Sequence, residues 1–232
     1  MKILGIIPAR GGSKGIPGKN TKLLNGKPLI AYTIEVALKS KILNHLIVSS
    51  DDDEIITVTR KFGADVPFIR PAELAQDNSS SIDLVIHALE FYQEREEYFD
   101  AICLLQPTNP FRSLNFLENS LDKFLKKDCD TLLSVLEVPH QFNPHWTFKK
   151  NSSGSLELST GESEIIPRRQ DLPKAYYRDG SIYIVKSSII LGKKSFYGDS
   201  IEFIDASNEK NVNIDTMEDW ILAEKLSKEI DL

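Results

Sequence analysis

Short apolar runs alternate with helix-periodic segments along the first 138 residues of this chain. We predict strands at the apolar runs 2–7, 45–50, 66–69, 100–105 and 131–138. Apolar residues at three- and four-residue spacing predict helices over 28–38, 51–63, 80–95 and 113–127. Run 100–105 is apolar without alternation, which is typical of a parallel strand covered on both faces. The pattern therefore predicts an α/β protein.

The alternation stops at residue 139. Residues 139–165 are rich in aromatic side chains and contain Asn151-Ser152-Ser153-Gly154, which is typical of a hairpin turn. A segment of this size has no core of its own, so its aromatic side chains must pack on another surface. We predict an inserted dimerisation arm that joins two copies of the chain in a homodimer. Packing of the arm on its own sheet is the alternative.

The rest of the chain returns to regular structure. Segments 181–185 and 201–204 are predicted strands, and 216–229 is a predicted amphipathic helix that Thr216 caps. Ser80 and Asp83 have the spacing of a capping box for the helix over 80–95. The sequence shows no repeat, low-complexity tract or linker, so we predict a single domain over 1–232 with the arm inside it.

Composition and charge narrow the class of protein. Hydrophobic residues make up 41% and charged residues 27% of the 232 positions, as in globular proteins. The net charge of −6 argues against a nucleic-acid partner, because such proteins neutralise phosphates with a basic face. Met1 leads directly into a strand and no apolar run is long enough to span a membrane, so we expect a cytoplasmic protein without a membrane partner. Cys103 and Cys129 are expected to be reduced thiols.

The loop after the first strand is the clearest candidate binding site. Between Pro8 and Asn20 it has four glycines, three basic residues and no acidic residue. Glycines let consecutive amide groups point into one concavity, and Arg10, Lys14 and Lys19 supply positive charge, so the loop is suited to a phosphate. It is not a P-loop, since Ser13 stands at the required glycine and Asn20 follows Lys19. It is not a dinucleotide fingerprint either, because Arg10 stands at its first glycine.

Two other stretches carry candidate chemistry. The acidic run 51–54 either binds a metal, as a DxD motif does, or complements the N-terminus of the helix that it opens, and we favour the helix. His87 is interpreted as a packed or solvated histidine and not as a catalytic one. Segment 106–112 follows a predicted strand, and its two prolines fix a rigid loop at the strand's carboxyl end, where open α/β sheets bind ligands.

Four separated blocks of the sequence resemble the acylneuraminate cytidylyltransferase family. They are "IIPARGGSKGIPGKN" from Ile6, "LQPTNPFR" from Leu105, "RRQDLPKAYYRDGSIYI" from Arg168 and "NIDTMEDW" from Asn213. The resemblance spans essentially the whole chain. It implies a doubly wound, mostly parallel sheet like that of nucleotide-diphospho-sugar transferases, with a dimerising arm. It also implies the use of CTP and Mg²⁺ to convert an acidic nine-carbon (sialic acid-type, or nonulosonic) sugar into a CMP-sugar and pyrophosphate.

The resemblance also implies a role for individual residues. Arg10 and Lys19 would be catalytic and would hold the triphosphate of CTP with the backbone amides around Gly12 and Ser13. Asn20, Arg70 and Ser81 match positions that bind the nucleotide. The positions that match sugar contacts are Gln106, Arg169, Asp179 and Tyr183. Asp215, also counted as catalytic, would bind Mg²⁺ together with Asn213.

Two residues depart from the family pattern. Asn213 stands where an aspartate commonly pairs with the equivalent of Asp215, although its carbonyl oxygen can still serve Mg²⁺. Asp179 stands where sialic acid enzymes often have asparagine, which replaces an amide donor with an acceptor and leaves the identity of the sugar open.

The expected reaction is in-line attack by the sugar's anomeric hydroxyl group on the α-phosphorus of CTP. Its catalysis would come mostly from positioning and electrostatics. Three alternatives remain open: an enzyme that makes CMP-Kdo, a GT-A glycosyltransferase that uses acids 51–53, and a regulator that binds the nucleotide without turning it over. No general base is identified in the sequence.

Overall fold

The computed structural model describes residues 1–229, and its centre is a six-stranded sheet with the order β10-β6-β9-β5-β1-β4. The bounds of these strands, in chain order, are β1 Ile3–Pro8, β4 His45–Ser49, β5 Ala101–Leu105, β6 Thr131–Glu137, β9 Tyr176–Lys186 and β10 Ile201–Asp205. Two two-stranded sheets accompany it: β2 Leu23–Leu24 with β3 Lys27–Pro28, and β7 Phe148–Lys150 with β8 Leu156–Leu158.

The central sheet is mixed but mostly parallel, as predicted. β1 pairs in parallel with β4 and β5, and β10 pairs in parallel with β6. β9 runs antiparallel to both β5 and β6. The carboxyl ends of β1, β4 and β5 therefore meet at one edge of the sheet, which is where ligands bind in open α/β sheets.

Helices cover both faces of the sheet. The helices are α1 Leu29–Leu38, α2 Asp53–Lys61, α3 Ser81–Gln93, α4 Leu114–Lys127, α5 Ser187–Lys193 and α6 Met217–Ser227. α1, α2 and α4 bury Ile34, Ile55 and Leu117 against one face of the sheet. α3 and α5 bury Val85 and Ile190 against the other face, which gives the doubly wound arrangement. Within residues 1–229, no helix is both long enough and apolar enough to cross a membrane.

Several predicted boundaries differ from the structure. Segment 66–69 forms no regular strand and touches its neighbours through isolated bridges at Asp65 and Ile69. Pro67 has no N–H group to donate, which prevents a continuous ladder. The strand predicted over 181–185 begins earlier, at Tyr176, and the short helix α5 was not predicted.

The helix caps are partly as predicted. Thr216 and Asp219 form a capping box, in which each side chain accepts a hydrogen bond from the other residue's backbone. Ser80 caps α3 by accepting a hydrogen bond from the Ile82 amide. Its predicted partner Asp83 makes no return bond within the described residues, so this end is a single cap.

The arm has the hairpin that its sequence predicts. Two short 3₁₀ turns, His140–Phe142 and Pro144–Trp146, lead into the β7–β8 hairpin. The turn contains Gly154 at a φ of +87°, a conformation that favours glycine. Trp146 joins the arm to the irregular segment that follows it by donating a hydrogen bond from Nε1 to the carbonyl of Ile166 at 2.7 Å.

Both cysteines are buried free thiols, and we expect them to be unreactive in the folded protein. Burial raises the pKa of Cys103 to about 12 and also raises that of Cys129. The thiolate is the reactive form, and at this pKa almost none of Cys103 is a thiolate at pH 8, while Cys129 is shielded from a reagent by its burial. We predict no labelling by a thiol-disulfide exchange reagent at pH 8 in buffer and labelling of two thiols in denaturant. Fast labelling of the native protein would contradict this assignment.

Candidate active site

Two adjoining clefts open at the carboxyl ends of β1 and β5. The first, which we call the Arg70 cleft, has a volume of about 220 Å³ and is lined by Arg70, Ser81 and Asp77 among others. The second, the Lys19 cleft, has a volume of about 260 Å³ and is lined by the N-terminal loop and Asp215. Pro8, Arg10 and Gln106 line both clefts. The two clefts therefore form a continuous polar site at the predicted edge of the sheet.

Lys19 joins the N-terminal loop to the segment that precedes α6. Its side chain is 13% exposed, and Nζ lies 3.2 Å from Oδ1 of Asp215. Nζ also donates a hydrogen bond to the carbonyl of Ile214 at 2.8 Å. The structure thus brings together two predicted site residues that are 196 positions apart in the sequence.

Gly15 permits this close approach of the two segments. A Cβ atom at Gly15 would lie 2.1 Å from the carbonyl oxygen of Asp215, which is well inside contact distance. The 213–215 segment cannot simply withdraw, because the Ile214 amide donates to the carbonyl of Thr108 at 2.9 Å. The absence of a side chain at Gly15 is therefore a steric requirement of the site.

We predict that Gly15→Ala lowers the free energy of unfolding by about 1–3 kcal/mol, as overpacking does. For a chain of this size that loss corresponds to a fall in Tm of roughly 3–9 °C. Gly12→Ala is the matched control for stability, since a Cβ atom there would meet nothing within 4 Å. Equal melting temperatures for the two variants would contradict the steric argument.

The basic side chains of the loop meet an acidic partner across the Arg70 cleft. Arg10 Nη2 lies 2.9 Å from Oδ1 of Asp77, and Lys14 Nζ lies 2.5 Å from Oδ2 of the same carboxylate. The hydrogen bond from Lys14 holds the pKa of Asp77 below its ordinary value, and the hydrogen bond from Arg10 makes a smaller contribution in the same direction. Both cations are exposed enough to exchange this partner for a phosphate. Asp77 was not predicted as a site residue, because it lies in a loop with no recognisable motif.

Arg70 is a buried cation at the base of its cleft. The guanidinium group donates to the Ser49 hydroxyl from Nε at 3.0 Å and to the Ser49 carbonyl from Nη2 at 2.5 Å. Burial, reinforced by the nearby charge of Arg10, lowers the pKa of Arg70 to about 10, although Asp51 opposes the shift. Arg70 therefore remains charged at neutral pH. Two predicted nucleotide positions, Arg70 and Ser81, line the same cleft.

Asn20 holds the loop in shape from inside. Its side chain is buried, and Nδ2 donates to the carbonyl of Arg10 at 3.1 Å. Ser13 lines the Lys19 cleft, while Gly12 lies on the open side of the loop. Of the predicted nucleotide residues of the loop, Ser13 and Asn20 line the Lys19 cleft and Gly12 does not.

The acidic run 51–54 works as the helix interpretation predicts. Asp52 caps α2 by accepting a hydrogen bond from the Ile55 amide at 3.0 Å. Asp51 accepts one from the Gly11 amide at 3.1 Å and so braces the loop. Within residues 1–229, no group of three or more His, Cys, Asp or Glu side chains is arranged to hold a metal ion.

Asp215 and Asn213 are neighbours at the mouth of the Lys19 cleft. Asn213 Nδ2 donates to Oδ2 of Asp215 at 2.6 Å. The carbonyl oxygen of the same amide accepts a hydrogen bond from Nδ2 of Asn109 at 3.4 Å. The oxygen that the sequence analysis assigned to Mg²⁺ therefore faces Asn109, and the carboxylate of Asp215 is 61% exposed.

The predicted sugar contacts do not all lie at these clefts. Gln106 lines both of them. Asp179 is buried beneath the site, where Oδ1 accepts hydrogen bonds from Ser134 and from the Ser181 amide. Tyr183 is also buried, and its hydroxyl oxygen accepts a hydrogen bond from Arg178 at 3.0 Å. Gln106 therefore lines the two clefts, whereas Asp179 and Tyr183 line neither of them.

Arg169 lies in a different place again. It is exposed and lines a third cleft of about 310 Å³, at the base of the arm, with Glu137 and Lys174. This cleft shares no lining residue with the other two.

A buried residue beside the site was also missed. Arg112 ends the rigid loop 106–112, and its guanidinium group donates to the carbonyls of Ser181 at 2.6 Å and Gln106 at 3.1 Å. Burial lowers its pKa to about 10, so it remains a cation. An arginine in a rigid loop at a strand's carboxyl end was the available signal, but its burial depends on β9.

The chain is similar to known proteins over almost its whole length. The model of a family described as cytidylyltransferase matches residues 4–229. The chain is 39% identical to CMP-N,N'-diacetyllegionaminic acid synthase of Legionella pneumophila, over 97% of this chain and 96% of that one. It is 36% identical to pseudaminic acid cytidylyltransferase of Campylobacter jejuni, over 98% of this chain and 97% of that one.

A solved structure shares the fold. CMP:2-keto-3-deoxy-manno-octonic acid synthetase, complexed with CTP, superposes with a TM-score of 0.74 over 99% of this chain and 100% of that one. At 17% identity this likeness shows the fold alone. The family match along almost the whole chain and the relatives described above confirm the expected class of enzyme. The chain belongs to the cytidylyltransferase family.

Proposed function

We propose that this enzyme transfers CMP from CTP to the anomeric hydroxyl group of a nonulosonic acid. The observation that carries the proposal is the continuous site formed by the Arg70 and Lys19 clefts, which is lined by several cations and by the exposed carboxylate of Asp215. The relatives described above are named for reactions of this kind, with legionaminic or pseudaminic acid derivatives. CTP is a cytoplasmic metabolite, so we propose the cytoplasm as the place of reaction.

The nucleotide would span both clefts. The cytidine end fits the Arg70 cleft beside Ser81, where buried polar groups can bind a base or ribose. The triphosphate fits the Lys19 cleft, which Arg10 and Lys19 line. Its phosphate oxygens would accept hydrogen bonds from these two side chains and from the backbone amides near Gly12 and Ser13. Asn20 supports this cradle by fixing the Arg10 carbonyl.

The donor set at Asp215 suits a magnesium ion. Mg²⁺ is usually held by one or two carboxylates, with substrate phosphates and water completing its shell. The exposed carboxylate of Asp215 beside the Lys19 cleft offers one such ligand, with Asn213 next to it. A Mg²⁺ ion bound there supplies charge neutralisation at the phosphate oxygens.

The chain's own residues contribute position and electrostatics. The sugar hydroxyl group attacks the α-phosphorus of CTP, a new oxygen–phosphorus bond forms, and the bond to the β-phosphate oxygen breaks as pyrophosphate leaves. The hydroxyl proton passes to water. Lys19 and Arg10 stabilise the charge on the leaving pyrophosphate, and Gln106, at the junction of the clefts, orients the sugar.

The arm is the proposed dimer interface. Side chains that alternate along a hairpin share a face, so Phe148, Leu156 and Leu158 lie together. Phe148 is 50% exposed and Leu156 is 70% exposed, which leaves apolar surface for a second copy of the chain. Since Arg169 is at the base of the arm and away from its own chain's clefts, we propose that it meets the sugar carboxylate across this interface, as a bidentate donor.

We predict that Phe148→Glu combined with Leu156→Glu converts a dimer into a monomer at micromolar concentration. Two carboxylates buried in an apolar contact would have no partner. Light scattering measures the mass, and Lys149→Ala on the opposite face of the hairpin is the control. A dimer that survives the double substitution would place the interface elsewhere.

A substrate panel tests the proposed reaction. The protein is incubated with CTP and Mg²⁺ and, separately, with legionaminic, pseudaminic, N-acetylneuraminic and Kdo acids. We expect pyrophosphate release and a CMP-sugar mass with a nonulosonic acid. Turnover with Kdo alone would indicate the eight-carbon alternative, and CTP binding without turnover on any acid would indicate a regulator.

A further inference from the structure

A chain of hydrogen bonds connects the buried interior to the proposed metal carboxylate. Asn109, which is 4% exposed, donates from Nδ2 to Oδ1 of Asn213. Asn213 in turn donates from Nδ2 to Oδ2 of Asp215. The other oxygen of Asp215 faces Lys19 at 3.2 Å. Asn109 itself lines neither the Arg70 cleft nor the Lys19 cleft.

The inner end of this series of hydrogen bonds reaches a small cavity. The cavity has a volume of about 10 Å³ and is lined by Asn109, Arg112 and Asp179 among others. Each of the three side chains is at least nine-tenths buried. Within residues 1–229, Oδ1 of Asn109, Nη1 of Arg112 and Oδ2 of Asp179 have no hydrogen-bonding partner.

One water molecule has the hydrogen-bonding capacity to satisfy all three groups. A cavity of about 10–15 Å³ holds a single water, and buried waters typically make about three hydrogen bonds. Water can accept a hydrogen bond from Arg112 and donate its two protons to Asn109 and Asp179. This balance of one donor and two acceptors suits water better than an anion, which cannot donate.

The groups at the two ends of this series of hydrogen bonds, Arg112 and Asp215, fix the direction of every bond in it. A guanidinium group can only donate, and an ionised carboxylate can only accept. With its oxygen turned inward to the cavity, Asn109 must present its NH₂ group to Asn213. The carbonyl of Asn213 then faces Asn109, and its NH₂ group faces Asp215. The reverse orientation of Asn213 would set two acceptor oxygens against each other at the 2.6 Å contact.

We propose that Asn109 is a positioning residue for Asp215 and acts through Asn213, with a buried water molecule as the third member of the network. We call this network the relay. Asn213 then holds the carboxylate through an N–H group and does not offer its carbonyl oxygen to the cation. The proposal rests on the proposed function, in which Asp215 binds the divalent ion. Groups that orient metal ligands typically change metal affinity by about 10-fold to 100-fold when they are removed.

The test measures cation binding directly. Asn109→Leu is titrated with Mn²⁺ in the presence of CTP, and bound Mn²⁺ is followed by its electron paramagnetic resonance signal. We expect the Kd for Mn²⁺ to rise about tenfold. Asn211→Leu is the matched control, since Asn211 lines the same cavity but donates to the carbonyl of Ala206, outside the relay. If Asn109→Leu fails to fold, Asn109→Ser tests the same point, because its shorter side chain cannot reach Asn213.

A double-mutant cycle shows whether Asn109 acts through Asn213. We expect Asn109→Leu to weaken Mn²⁺ binding in the native background and to add nothing to Asn213→Ala. Equal effects in both backgrounds, or an unchanged Kd in Asn109→Leu, would overturn the relay. If Asp215→Asn also leaves the Kd unchanged, the metal assignment in the proposed function fails. If only the Asn109 variant is silent, the relay alone fails.

Discussion

Lys19→Ala is expected to reduce kcat for pyrophosphate release by about 100-fold to 1,000-fold, the usual loss when one preorganised donor is removed from a site of developing charge. Lys19 is 13% exposed and held between Asp215 and the carbonyl of Ile214, so its ammonium group is fixed before the substrate arrives. A fixed charge costs no reorganisation during the reaction.

Lys22→Ala is the matched control for this prediction. Lys22 follows on the same loop and lies over the ring of Trp220 at 5.2 Å, outside both clefts. Its loss should leave kcat within about twofold. Initial rates at saturating CTP and sugar measure the effect, and melting curves show whether each variant is folded. Native-like turnover in Lys19→Ala would remove this residue from the triphosphate site.

Asp215→Asn is expected to raise the Mg²⁺ concentration for half-maximal activity by about tenfold or more. The substitution keeps the size of the side chain but removes the negative charge that a hard cation prefers. It also removes the charged partner of Lys19. We therefore expect high Mg²⁺ to restore activity only if Lys19 keeps its position without this ion pair.

The measurement is a Mg²⁺ titration of the initial rate at fixed CTP. Asp199→Asn is a suitable control, because Asp199 is 87% exposed, pairs with Lys193 and lines neither the Arg70 cleft nor the Lys19 cleft. A titration curve identical to that of the native protein would refute the ligand role of Asp215.

Much of the fold could be predicted because its elements have local causes. The apolar run that became β5 lies between two strands in a sheet covered on both faces, and such strands are continuous in hydrophobicity. Thr216 and Asp219 cap α6 through their own backbone neighbours, which requires no distant contact. The strand predicted at 66–69 was wrong because apolar character alone does not supply the N–H group that Pro67 lacks.

The candidate site was predictable where charge and glycine are concentrated in one loop. The composition of the N-terminal loop predicted an anion site, and the structure places Arg10, Lys19 and Ser13 around one cleft. Asp77 and Arg112 could not be found in the same way, because their partners are distant in the sequence. Asp77 pairs with Arg10, and Arg112 donates to the carbonyl of Ser181. The roles assigned to Asp179, Tyr183 and Arg169 stay predictions, and none of the three lines the Arg70 cleft or the Lys19 cleft.

The sequence by itself determined the α/β class, the cationic loop and the family resemblance, because each depends on residues close together in the chain. The tertiary structure alone decided that Lys19 meets Asp215, that Gly15 must lack a side chain and that the carbonyl of Asn213 turns toward Asn109. These are contacts between segments separated by 100 or more residues. The physical reason is that hydrogen bonds and steric fit depend on distance in space, which hydrophobic periodicity does not encode.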